Sequence, residues 1–194
     1  MTTPQIILAS TSPFRKMLLE KLGLPFTTIA PEVDERAAPS ESPADLVQRL
    51  ALAKAEAVAH HHPKALVIGS DQVAVHRGEI LGKPGSHARA REQLAAFSGN
   101  AVTFYTGLAL VGSEAGVSEV DLLPYTVHFR TLSADQIERY LKAEQPYQCA
   151  GSFKSEGLGI TLFSRLEGDD PNTLIGLPLI RLTAMLALAG IPLP

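Results

Sequence analysis

ILASTSPFRKMLLEKLG, residues 7–23, is the stretch whose reading decides the fold class. Ile6, Ile7, Leu8 and Ala9 form an uncharged apolar run that suits a buried strand. Ser12 stands where a helix N-cap belongs and Pro13 at the first helical position, where a missing N–H costs nothing. Phe14, Met17, Leu18 and Leu22 share the i, i+3, i+4, i+8 spacing of one helix face, which predicts that this face turns inward. Gly23 is placed to end the helix in a left-handed conformation. A buried strand, a hydroxyl-rich turn and a helix open an α/β chain.

The charges on this helix are unusual. A helix N-terminus carries about half a positive charge, so each cation nearby costs about 0.3–1 kcal/mol. Arg15 and Lys16 nevertheless both fall in the first turn, behind the hydroxyls of Ser10, Thr11 and Ser12. Donors and positive charge concentrated this way are what a bound phosphate needs. The competing reading is a pair of solvated charges at an exposed helix start.

Outward from this unit, the segment from Ala30 to Pro43 is loose and rich in Pro, Ser and acids. Ser42, Pro43 and Asp45 then open a helix to His60, with Leu46, Val47, Leu50 and Ala57 on its inner face. Leu66 to Val75 reads as a strand, turning through His76, Arg77 and Gly78 into Glu79 to Leu81. Ser86 caps a helix ending near Phe97. Val102 to Val111 and Val117 to Phe129 read as long antiparallel strands about the Gly112 to Gly116 turn. Ser133 and Gln136 form a capping box for a helix to Glu144. Tyr147 to Phe153 and Leu158 to Phe163 read as short strands. A last helix from Pro178 to Gly190 is apolar on nearly every face and is predicted to be largely buried. The result is a mixed α/β class with a partly antiparallel sheet and flanking helices.

The 194 residues suffice for one domain with a sizeable core, taken as a single domain over 1–194. A net charge of −3 argues against a general nucleic-acid binder. The single cysteine, Cys149, excludes an intrachain disulfide and fits a reducing compartment, and a buried structural thiol is favoured over a catalytic one. No signal-peptide pattern and no apolar stretch of about 20 residues occurs, so a cytoplasmic protein without a membrane partner is expected.

Several stretches carry chemistry. PEVDE, residues 31–35, sets Glu32, Asp34 and Glu35 in a loop, and hard oxygen ligands of this kind suit Mg²⁺ or Mn²⁺ bridging to phosphates. Glu32, nearest the strand-like Phe26 to Ile29, is the preferred ligand, and a solvated acidic loop is the alternative. In LVIGSDQVAV, residues 66–75, Asp71 interrupts an apolar strand, where an ionised carboxylate is costly unless paired or near a metal. Gly69 and Ser70 leave room for a ligand, and Gln72 points to the other side or lines a rim. Lys83 sits in a Gly-Lys-Pro turn, Lys54 among alanines, and Lys154 and Glu156 in a glycine- and serine-rich loop. His60, His61 and His62 end a helix and do not share a face, which disfavours a metal site there.

Taken together, LASTSPFR, PEVDE, the Lys54 helix, GSDQV, LGKP, TFYTGL, GSFKSEG and DPNTLIGLPL resemble the Maf family of nucleoside triphosphate pyrophosphatases, in the family's order and over nearly the whole chain. The resemblance implies two lobes around a deep cleft, as in inosine triphosphatase-like folds, a divalent metal cation, a nucleotide substrate, cleavage between the α and β phosphates, and a homodimer. It makes Asp71 the proton acceptor and a metal ligand with Glu32. Lys54 and Lys83 join Asp71 as catalytic residues, and Ser10 and Arg15 bind phosphate. Members acting on dTTP and UTP usually carry Arg, Thr and Gln where this chain has Phe14, Gln72 and Glu156. That trio is similar to the 7-methyl-GTP pyrophosphatase subgroup. An aromatic face attracts a cationic 7-methylated guanine by roughly 0.5–2 kcal/mol, and a carboxylate accepts from guanine N1–H and N2–H₂. The alternatives are another nucleotide, dTTP or UTP among them, and a nucleotide-binding regulator of septum formation.

Overall fold

The computed structural model describes residues 4–194. The first strand, β1 (Ile6–Ala9), is buried on both faces and pairs in parallel with β2 (Phe26–Ile29) and β3 (Leu66–His76). Burial on both faces is why it reads as a continuous apolar run and not an alternating one. The sheet order is β2-β1-β3-β5-β6-β7, with β5 at Ala101–Gly112, β6 at Val117–Phe129 and β7 at Phe163–Glu167. The short β4 (Glu79–Leu81) pairs antiparallel with β3 around Arg77 and Gly78, both at positive φ, the two-residue turn that matches strand twist. Strands β5 and β6 are neighbours joined by four residues, too few for a parallel crossover, so they are antiparallel.

The chain divides into two compact units, one of residues 1–72, 106–123 and 170–194, the other of 73–105 and 124–169. In the first, alternate residues of β1 feed two cores. Ile6 and Leu8 join Leu18 and Leu19 of α1 (Pro13–Glu20) and Leu182, Met185 and Leu186 of α6 (Leu179–Leu188). Ile7 and Ala9 join Ala51, Ala55 and Val58 of α2 (Pro43–Ala59). That second layer depends on absent side chains. A Cβ on Gly69 would stand 2.1 Å from the Ala51 carbonyl oxygen, and one on Gly107 2.1 Å from that of Val47. Only glycine lets α2 lie so close to the sheet.

In the second unit, α3 (His87–Phe97) and α4 (Ala134–Glu144) are capped by Ser86 and by the Ser133–Gln136 box. Its core is aromatic: Phe129 and Phe153 meet Phe163 edge-on at 5.3 and 4.9 Å between ring centres.

Five local expectations are corrected. Phe14 and Met17 face outward, at 37% and 42% exposure, because the inward stripe of α1 is Leu18 and Leu19. On α2, Ala57 is only half-buried, and Lys54 takes a place on the inner face. Tyr147 to Phe153 is not a strand: residues 150–152 form a 3₁₀ turn in which Gly151 and Ser152 have positive φ. Leu158–Leu162 is likewise a 3₁₀ turn, and the strand follows it at Phe163–Glu167. The apolar C-terminal stretch is also shorter than expected and less enclosed, with Ile180 and Leu188 exposed. A separate helix, α5 (Pro171–Ile175), precedes it. Buried Asp170 serves both. Oδ1 accepts from Asn172 N–H at 2.8 Å, and Oδ2 from Ile180 N–H at 2.8 Å, capping the helix whose own N-cap is a proline.

Candidate active site

The site in the first unit starts at Lys54. Its position on the inner face of α2 buries the alkyl stem and carries Nζ to the sheet, where it lies 2.7 Å from Asp71 Oδ1 on β3. A second carboxylate, Glu35 Oε1 from the loop after β2, lies 2.7 Å from the same ammonium. Lys54 is 6% exposed and Asp71 9%, whereas Glu35 is open to water. Each carboxylate engages Lys54 through one oxygen and keeps the other.

Arg15 completes the group. Ser12 caps its backbone N–H, while its guanidinium Nε donates to the Gly176 carbonyl at 2.9 Å. Loss of water around the guanidinium pushes its pKa down, and the carboxylates of Asp71 and Glu35 push it back up. The cation in the first turn of α1 is therefore held by tertiary partners, and Lys16 is exposed. Gly176 has φ of 123°, a region L side chains avoid, and its carbonyl also accepts from the buried Ser70 hydroxyl at 3.0 Å. Ser10 is buried and accepts from Ser12 N–H at 3.1 Å, leaving its own O–H to donate.

Gln72 is held firmly. Its amide nitrogen donates to the Thr173 carbonyl at 2.7 Å and the Thr106 hydroxyl at 2.9 Å. A carbonyl only accepts, so the NH₂ must face it, and Gln72 presents its carbonyl oxygen elsewhere. Phe14 stands partly exposed on the first turn of α1. Glu32 is exposed and lines a groove of about 510 Å³ with Ile29, Val58, His60, His61 and His62. Among the described residues, no group of three His, Cys, Asp or Glu is arranged to hold a metal ion.

Lys83 and Glu156 belong to the second unit, both exposed. They gather near Cys149, whose thiol is pushed up by burial; Lys154 and Lys83 pull it back, and Glu156 and Glu144 add to the rise. Lys154 is fixed at both ends, with Nζ on the Glu144 carbonyl and N–H on the Tyr140 hydroxyl, each at 3.0 Å.

Sequence reasoning passed over Glu35 in favour of Glu32, gave Ser70 only as leaving room for a ligand and not as a hydrogen-bond donor, and missed the Gly176 carbonyl. The signal for Glu35 was faint but present. Asp34 is followed two residues on by Arg36, which takes its carboxylate at 2.6 Å and leaves Glu35 as the neighbouring acid free to reach elsewhere. Nothing local marks a carbonyl oxygen such as that of Gly176.

A layered α/β unit that collects an arginine from the first turn of a helix, a lysine from the inner face of another, a carboxylate from mid-strand and a second from a loop has the donors and charge suited to a phosphorylated small molecule. The chain belongs to the Maf-like protein family, whose sequence model matches residues 5–189. It is 57% identical over 191 residues to the 7-methyl-GTP pyrophosphatase of Pseudomonas syringae pv. tomato, covering 98% of this chain and 100% of that one. It is 59% identical over 190 residues to the protein of the same name from Alkalilimnicola ehrlichii, covering 98% and 96%. Among solved structures, a HAM1 protein from Coxiella burnetii aligns at a TM-score of 0.44 and 14% identity, over 66% of this chain and 73% of that one.

Proposed function

We propose that this chain is a nucleoside triphosphate pyrophosphatase that hydrolyses 7-methyl-GTP to 7-methyl-GMP and pyrophosphate. The observation that carries it is the group of Arg15, Lys54, Asp71 and Glu35, with Lys54 Nζ at 2.7 Å from each carboxylate. The names of relatives matched over nearly their full length support the base.

Asp71 is the proton acceptor in this proposal. It takes a proton from the water that attacks the α-phosphorus. A phosphorus–oxygen bond forms as the bond to the α,β-bridging oxygen breaks, and pyrophosphate leaves with the bonding pair. Arg15, Lys54 and the Ser10 hydroxyl balance the charge that accumulates on the phosphate oxygens. A divalent cation such as Mg²⁺ or Mn²⁺ fits the donor chemistry, because hard cations of this kind are held by one or two carboxylates together with substrate phosphates. Asp71 and Glu35 would hold it through the oxygens that Lys54 does not take, with Glu32 the other candidate ligand. When bound, it neutralises phosphate charge and lowers the pKa of water. Lys83 contributes to phosphate binding, and Phe14, Gln72 and Glu156 select the base. Both units belong to one catalytic domain in this proposal, which functions as a homodimer in the cytoplasm.

The test is pyrophosphate release from 7-methyl-GTP, GTP, UTP and dTTP with Mg²⁺ or Mn²⁺, for the wild type and Asp71→Asn. Preference for 7-methyl-GTP that disappears in the variant is expected. Hydrolysis of none of the four overturns the proposal.

A further inference from the structure

In the second unit, one amide joins two segments that carry assigned residues. Gln93, on α3, donates from Nε2 to the Gly82 carbonyl at 3.1 Å, the residue just before Lys83. Its Oε1 accepts from the Ser152 hydroxyl, at the head of the segment that leads through Lys154 to Glu156. The orientation of the amide follows from its partners, since a backbone carbonyl can only accept. The Lys83 turn is held on its other side as well, by Gly85 N–H on the Tyr147 carbonyl at 2.9 Å.

Ser152 gives this bond weight. It is completely buried and has φ of 60°, an uncommon conformation for a residue with a Cβ. A buried hydroxyl without a partner is costly, and Gln93 is the partner this one has. The turn at 150–152 replaces a strand the sequence pattern suggested, and it sets the direction in which the chain departs toward Glu156.

We propose that Gln93 is a positioning residue for the reaction: its single amide fixes the Lys83 turn through Gly82 and the Glu156 segment through Ser152, linking phosphate handling to base selection. This rests on the proposed pyrophosphatase activity. The two arms are separable by substitution. Ser152→Ala removes only the bond toward Glu156. Gln93→Glu keeps an acceptor for Ser152 and removes the donor to Gly82. Gln93→Met is close in shape and removes both.

The experiment measures kcat and KM for 7-methyl-GTP and UTP, with melting temperature alongside. Ser152→Ala is expected to lower the preference for 7-methyl-GTP over UTP roughly five- to tenfold, the usual worth of one hydrogen bond, with UTP turnover within about twofold. Gln93→Glu is expected to raise KM for both nucleotides by a similar roughly fivefold factor, with preference kept. Gln93→Met is expected to show both changes. Lower melting temperatures with preference and KM unchanged in an active enzyme overturn the positioning role alone. A wild type inactive on every nucleotide overturns the pyrophosphatase reading, and this one with it.

Discussion

Lys54 and Asp71 meet at 2.7 Å with both side chains almost closed to water, one from a helix and the other from the strand beneath it. Glycines at 69 and 107 make the meeting possible by letting α2 settle onto the sheet. The lysine is shared with Glu35, so one ammonium organises two carboxylates.

Removing one member of this pair has consequences for both stability and activity. Lys54→Met leaves Asp71 without its cation, and urea denaturation is expected to show a loss toward the low end of about 3–5 kcal/mol, since the site is open on the Glu35 side. Asp71→Asn keeps the shape but cannot accept a proton, and hydrolysis is expected to fall by about 10²–10⁴. If Asp71→Asn retains more than a tenth of wild-type turnover, the base lies elsewhere.

Glu35 and Glu32 can be told apart. Glu35→Gln is expected to raise the Mn²⁺ concentration needed for half-maximal hydrolysis several-fold, because Glu35 shares Lys54 with Asp71. Glu32→Gln, altered in the groove with His60 to His62, is expected to change it less. The reverse ranking would return the ligand role to Glu32.

The approach of α2 to the sheet is testable without touching a charged residue. Gly69→Ala puts a Cβ 2.1 Å from the Ala51 carbonyl oxygen, a backbone atom that cannot step aside. A stability loss of about 1–3 kcal/mol or more is expected, together with reduced turnover as Lys54 is lifted from Asp71. Thermal melts and steady-state kinetics on the same preparation read both effects.

Acid stability has an identifiable contributor. Hydrogen bonds from Arg49 and from Ala38 N–H hold the Glu41 carboxyl down to about 2, against an ordinary 4.5. A depressed carboxylate stabilises the fold above its unfolded pKa, and that contribution is lost as pH falls from about 4.5 toward 2. Glu41→Gln is therefore expected to lower stability above about pH 5 and to flatten the acid limb of a stability-versus-pH curve between about 4.5 and 2, while leaving the slope above pH 7 unchanged.

Base choice should follow Glu156 if its carboxylate reads guanine. Glu156→Gln, which swaps an acceptor oxygen for a donor, is expected to lower preference for 7-methyl-GTP over UTP by roughly tenfold. An unaltered ratio in a substrate panel would remove Glu156 from base selection.

Much of the scaffold is written locally. Ser12-Pro13, Ser42-Pro43, Ser86 and the Ser133–Gln136 box start their helices where the sequence says, because capping is decided within four residues. The apolar run at Ile6–Ala9 and the turn at Arg77-Gly78 are equally local. Asp71 stands out because a charge interrupts an apolar strand, and Arg15 because it opposes the helix dipole. Other features depend on contacts that no window of sequence contains. The turn at 150–152 overrides a strand-like composition, with buried Ser152 bonded to Gln93, 59 residues away. Phe14 and Met17 face outward because Leu18 and Leu19 fill the space against α6. Among three acids in PEVDE, Glu35 reaches Lys54 because of where the loop crosses α2, and the Gly176 carbonyl gathers Arg15 and Ser70 across 161 and 106 residues. Sequence alone determined which residues could carry charge, cap a helix or fill a core, since these are properties of side chains and their near neighbours. Only the tertiary structure decided which charges meet, because an ion pair of 2.7 Å is set by the packing of a helix on a sheet.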